Sequence, residues 1–273
     1  MSTPATPATE PSPSRLSRLV RSPLTWSAGV LGAVAGALLI AWLPGGGHDL
    51  VDRVTASDPL RLPYVEEDQQ GDIALERPVE DSEDRATLLT EPEKLPALVR
   101  EYGGGPVGRL DVVLVAEGGR GLVRVVDIRP RVARTLPVLT GSYLRPDSAG
   151  EPEVIHVVSD LDAADRRPRV PGKAGTLYFT GKQIELKRGE QETLRLSFTA
   201  RDAAYEFDLL ATVVADGRTY QQVIRRPDGG MFRVTGAAAD HRAYRRIYTG
   251  GTSTWHLAGR AAKCEIFPRS KGC

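Results

Sequence analysis

Residues 193–226 read TLRLSFTARDAAYEFDLLATVVADGRTYQQVIRR, and this stretch decides the fold class. From 193 to 199 the chain alternates strictly. Leu194, Leu196 and Phe198 fall on one face, and Thr193, Arg195, Ser197 and Thr199 on the other. A period of two is the signature of a strand with one buried side. Tyr205, Phe207, Leu209, Ala211 and Val213 repeat the pattern. Asp216-Gly217 then separates that run from residues 219–226, because glycine supplies the positive φ of a two-residue hairpin turn. Similar short runs at 110–116, 122–128, 154–158, 176–180, 183–186 and 231–235 read as further strands. Residues 118–121 (GGRG) and 187–190 (KRGE) read as turns between them. The expectation is a mainly β domain over 107–258, an antiparallel β-sandwich of immunoglobulin-like architecture. A jelly roll and an open barrel remain the other ways to arrange such strands. Tyr205, two residues before the core position Phe207, would sit at the corner where such a tyrosine hydrogen-bonds back to the backbone.

Upstream the character changes. Residues 24–43 (LTWSAGVLGAVAGALLIAWL) carry no charge. At about 1.5 Å per residue such a run is roughly 30 Å long as a helix, the thickness of a bilayer core. Trp26 and Trp42 lie near its ends, and Pro23 and Pro44 bracket it, so one transmembrane helix is expected over 23–44. Arg15, Arg18 and Arg21 precede the run, whereas Asp49, Asp52 and Asp58 follow it with Arg53. Positive charge stays on the cytoplasmic side. The expectation is a single-pass protein of the cell membrane, with a cytoplasmic N-terminus and an extracellular C-terminal domain. A cleaved signal peptide is the alternative, but the run exceeds the usual apolar region and lacks a small-x-small exit. Ala28, Gly32 and Gly36 lie four apart on one helical face, where small residues let a second helix approach. That stripe reads either as a helix contact or as the composition of an alanine- and glycine-rich chain.

Residues 1–22, rich in Pro, Ser and Thr, read as a disordered cytoplasmic tail. Residues 45–106 read as an acidic, proline-rich linker, with one short helix at 91–102. Residues 259–273 form a basic tail holding both cysteines, Cys264 and Cys273. Outside the membrane these can form an intrachain disulfide, an interchain one, or remain thiols.

Chemistry is harder to find. The net charge of +1 gives no general attraction to nucleic acid. The histidines, His48, His156, His241 and His256, lack zinc spacing. His156 alternates with Val154 and Val158 and reads as a half-buried strand residue. Asp160, Asp162 and Asp165 share one loop, but they lack the glycine and terminal glutamate of a calcium loop, and Arg166, Arg167 and Arg169 compete for them. No nucleophile elbow, phosphate loop or dinucleotide fingerprint occurs. No catalytic residue, cofactor or metal site is therefore assigned. The partners expected are the membrane itself and a protein partner or a second copy, met through the span or the β domain.

Residues 123–130 (VRVVDIRP), 179–190 (FTGKQIELKRGE) and 228–236 (DGGMFRVTG) carry a resemblance. The chain resembles uncharacterised single-pass membrane proteins of high-G+C Gram-positive bacteria over about 110–250. The resemblance implies a short cytoplasmic tail, one span, a stalk and an exported β domain, and it implies no activity. The function expected is a non-enzymatic exported binding module. A membrane-anchored enzyme with a dispersed site and an accessory subunit of a membrane complex are the alternatives.

Overall fold

The computed structural model describes residues 58–68, 71–119, 121–146, 155–173, 175–250 and 254–273, all within the unit Asp58–Cys273. The expected tail, the expected span with Ala28, Gly32 and Gly36, and the first part of the expected linker lie outside the described residues. Among the described residues, no helix is long and apolar enough to cross a membrane.

The fold is mainly β, in three sheets. The first joins β1 (Leu60–Asp68), β4 (Arg109–Gly118), β9 (Gln191–Thr199) and β7 (Ile155–Asp160), in that order. The second orders β11 (Arg218–Ile224), β10 (Ala204–Ala215), β5 (Leu122–Leu136) and β8 (Ile184–Lys187), with β12 (Phe232–Thr235) also on β10. These two sheets share one core. Leu110, Val112 and Leu114 of β4 and Leu196 and Phe198 of β9 are buried in one cluster with Val123 and Val125 of β5 and Phe207, Leu209 and Val213 of β10. Alternation in both sheets places these side chains inward, and burying them supplies the main driving force. The Asp216-Gly217 turn closes a two-residue hairpin, with φ of 51° and 70° and Ala215 opposite Arg218. Chain crossings between the sheets are tight. A Cβ on Gly118 would lie 2.2 Å from the Lys187 carbonyl, so the turns after β4 and after β8 meet only because Gly118 has no side chain.

The third sheet orders β14 (Trp255–Leu257), β13 (Arg246–Gly250), β6 (Ser142–Pro146), β2 (Ile73–Ala74) and β3 (Gly105–Pro106). Both of its faces are buried. Ile73, Leu144 and Tyr248 face one cluster with α1 (Ser82–Thr90) and α2 (Leu95–Glu101), while their neighbours Ala74, Tyr143 and Ile247 face another with Phe267.

Several expectations are corrected. The sheets are not purely antiparallel, because β7 pairs β9 and β6 pairs β13 in parallel. The stretch 176–180 is not a strand. Its second half begins the helical turn α3 (Tyr178–Gly181), which lays the Tyr178 and Phe179 rings against the core. From residue 58 onward the expected linker is folded. Several of its acidic residues are structural, with partners elsewhere in the fold. Asp68 pairs with Arg195 at 2.7 Å, Glu76 with Arg233 at 3.1 Å, Asp72 accepts the Tyr143 hydroxyl, and Asp84 accepts the Tyr102 hydroxyl at 2.5 Å. Asp81 caps α1, accepting from the backbone N–H of Glu83 and Asp84. The expected helix at 91–102 is a 3-10 turn, Pro92–Lys94, running into α2. The C-terminal segment is likewise built in. It forms α4 (Arg260–Ile266), buries Phe267, and joins Cys264 to Cys273 by a disulfide.

Candidate functional site

Two places bring chemistry-bearing side chains together. The first lies on the outer face of the first sheet. Register sets Asp111 opposite Ser197 and His156 beside Arg195. Ser197 donates its hydroxyl proton to Asp111, and His156 Nε2 lies 2.6 Å from Ser197 Oγ and 3.3 Å from Arg109 Nη2. Arg109 grips Asp111 with both arms of its guanidinium, at 2.8 and 2.9 Å. Serine, histidine and aspartate are all present, but their order differs from a hydrolytic triad. There the carboxylate orients the imidazole and the imidazole takes the serine proton. Here Asp111 accepts the serine hydroxyl directly. Ser197 is also 1% exposed, so no substrate carbonyl can reach it. Buried Arg195 completes the cluster by joining Asp68 to Asp111. The arrangement ties edge strand β1 to the sheet.

The second place is a cleft of about 530 Å³ between α2, the turn at 225–231 and the outer face of β10 and β12. It is lined by Arg100, Arg225, Arg226 and Arg233 with Glu206 and Asp228. A neighbouring groove of about 520 Å³ continues along Val65, Glu66 and Glu67 of β1 and shares Arg100 and Arg226. Arg233 is rigidly held, donating to Glu206, to Glu76 and to the Gly103 carbonyl. Gly103 must be glycine for this: its φ is +64°, and a Cβ there would meet Arg233 Nη1 at 2.7 Å. Arg226 is fixed by Asp228 at 2.6 Å. Asp228 in turn accepts the Gly230 N–H, and that bond together with Arg226 holds its carboxyl below the usual range against the effect of burial. Among the described residues Arg225 reaches only Asp208, at 3.5 Å, and Asp208 is already gripped by both arms of Arg131. The exposed Arg100 guanidinium makes no hydrogen bond or ion pair among the described residues, and its charge helps to lower the Asp228 carboxyl.

A smaller hollow of about 260 Å³ at the β5 bulge holds Asp127, whose carboxyl is pushed up by burial against the pull of Arg129 and Arg167.

The aspartate loop is spent on structure. Asp160 accepts the Asp162 N–H, Asp162 accepts from Arg201, Asp202 and Tyr205, and Asp165 is gripped by Arg167. Tyr205 thus bonds a side-chain carboxylate, not the backbone that an immunoglobulin-type corner would use. Among the described residues, no group of His, Cys, Asp and Glu is arranged to hold a metal. His156 is half-buried, His241 lies in a 3-10 turn beside Asp240, and His256 is exposed next to Thr254; His48 lies outside the described residues.

The sequence reading missed the four cleft arginines. One local signal existed, the run Arg225-Arg226-Pro227-Asp228-Gly229-Gly230, which packs charge into a turn. Arg100 gave none, because it comes from a different segment. Comparison with known protein families, with characterised proteins and with solved structures finds no match.

Proposed function

We propose that this protein is a membrane-anchored binding module, with its β domain outside the cell and its arginine cleft as the recognition surface. The observation that carries the reading is a contrast between the two clusters. Ser197, His156 and Asp111, the residue types of a hydrolase, are closed on one another, with Ser197 and Asp111 buried and His156 half-buried. The cleft is open, charged and without a nucleophile, and it offers donors for recognition. The uncharged run at 24–43 behind three arginines supports anchorage with the N-terminus inside. The Cys264–Cys273 disulfide supports an oxidising compartment for the domain. The finer architectural reading, an immunoglobulin-like sandwich, rests on the two sheets sharing one core.

The test is cross-linking of the full-length protein in its native membrane followed by co-purification. A defined partner should be captured, and Arg225→Glu should abolish its capture. Loss of capture in Gly32→Ile/Gly36→Ile instead would move the contact into the span and favour an accessory subunit. If no specific partner appears, the binding-module reading fails.

A further inference from the structure

We propose that the arginine cleft binds a phosphate group, gripped by Arg100 and Arg225 with Arg226 and Arg233 fixed behind them; the inference rests on the binding-module reading and names its ligand chemistry. Four guanidiniums line the cleft against two carboxylates. Both carboxylates are committed. Glu206 is bonded by Arg233 and by Arg134, and Asp228 by Arg226 and the Gly230 N–H. What is left over is positive and lies on two side chains from different elements.

The donor count favours phosphate over carboxylate. Arginine presents five N–H donors in a planar fork that matches either oxyanion. Arg233 has given most of its donors to Glu206, Glu76 and Gly103. Arg100 has given none of its own among the described residues, and the Arg225 fork has one long contact, through Nε. A carboxylate offers two oxygens and a single charge. A phosphate monoester offers three terminal oxygens and close to two charges, the better match to two open forks. The cleft volume exceeds a phosphate and leaves room for the group that carries it. Met231, 37% exposed, offers that group an apolar contact at the rim.

The phosphate could belong to a lipid headgroup or to a soluble or polymeric ligand, and two probes separate these sources. Full-length protein in maltoside micelles is heated at fixed ionic strength, set with chloride, and unfolding is followed through the buried Trp255. Inorganic phosphate should raise Tm with the logarithm of its concentration, by roughly 2–4 °C when it is about fivefold above its Kd. Arg100→Ala and Arg225→Ala should each weaken the apparent affinity about tenfold or more while leaving Tm without phosphate unchanged. Arg124→Ala, paired with Glu185 elsewhere on the sheet, should bind as the wild type does. Micelles doped with phosphatidate form the second arm. Stabilisation by phosphatidate at concentrations where inorganic phosphate has no effect assigns the site to a lipid headgroup. Stabilisation by inorganic phosphate without an effect of phosphatidate assigns it to a soluble or polymeric ligand. The proposal is overturned if neither probe shifts Tm, or if the shift persists in the Arg100→Ala/Arg225→Ala double variant. Such a failure, with a partner still captured from native membranes, removes the phosphate site and leaves the binding module standing.

Discussion

Asp162 accepts the backbone N–H groups of Arg201 and Asp202 and the Tyr205 hydroxyl at 2.8 Å. Burial acts to raise its pKa, but these hydrogen bonds and Arg201 outweigh it and the carboxyl ends below its ordinary value. Its stabilisation is therefore present above the unfolded carboxylate pKa near 4 and is lost as pH falls through the lower folded value. Asp162→Asn should flatten the acid limb of a stability-against-pH curve measured by urea unfolding. Asp162→Ala should cost about 1–3 kcal/mol at neutral pH, since three donors lose their acceptor. The partner responds at the other end of the scale. Burial first, then the bond to Asp162, pushes the Tyr205 phenol up to about 12. Its stabilisation holds below the unfolded value near 10 and disappears as pH rises through 12. An ultraviolet titration should show this tyrosine moving down in Asp162→Asn. The loop that bears Asp162 looked like turn chemistry in the sequence, and it is. Its connection to Tyr205 was invisible, because the two are 43 residues apart.

At the scale of elements, edge strand β1 is joined to the sheet by a buried cation in addition to its ladder on β4. Arg195 is 4% exposed and joins Asp68 of β1 to Asp111 of β4. Removing it takes the countercharge from Asp68, while Asp111 keeps Arg109; breaking such a buried pair typically costs about 3–5 kcal/mol. Arg195→Ala should speed amide exchange in β1 first, because among the described residues β1 is paired on one side only, while β10 stays protected between β5 and β11. Equal acceleration in both strands would refute a local role. The loop after β12 depends instead on the absence of a side chain. A Cβ at Gly236 would lie 1.9 Å from the Arg201 carbonyl. Gly236→Ala should therefore destabilise by about 1–3 kcal/mol in urea unfolding, through a forced backbone shift. The strands that pair across this region were legible wherever one face meets the core and the other meets polar groups. The third sheet was not. Ile73-Ala74, Tyr143-Leu144 and Ile247-Tyr248 are apolar on both sides, so their sequences show no alternation to read.

For the molecule as a whole, the disulfide and the proposed anchor set two further expectations. The Cys264–Cys273 bridge closes a short loop whose Phe267 lies in the core beneath the third sheet. By the loop-entropy estimate it contributes about 2–3 kcal/mol. Cys264→Ser/Cys273→Ser should lower Tm by roughly 5–10 °C in calorimetry. An unchanged Tm would show the helix and Phe267 to suffice. Membrane fractionation checks the other end of the chain: intact protein should sediment with membranes, and deletion of 23–44 should release it or block its export.

The sequence by itself determined the mainly β class, the hairpin at Asp216-Gly217 and the turn character of the aspartate loop. It also contains the uncharged run on which the topology proposal depends. Each of these is local, set by a period of two, a glycine φ, a carboxylate beside its own backbone, or a count of apolar residues. Only the tertiary structure decided the role of residues 58–106 and the existence of the cleft. A carboxylate counts as a solvated spacer residue or as a structural one according to where its arginine lies. Asp68 and Glu76 find theirs 127 and 157 residues away. The cleft draws Arg100 from a helix and Arg225, Arg226 and Arg233 from a turn and a strand more than a hundred residues later. No sequence period spans that distance; the folded sheets alone bring those charges together.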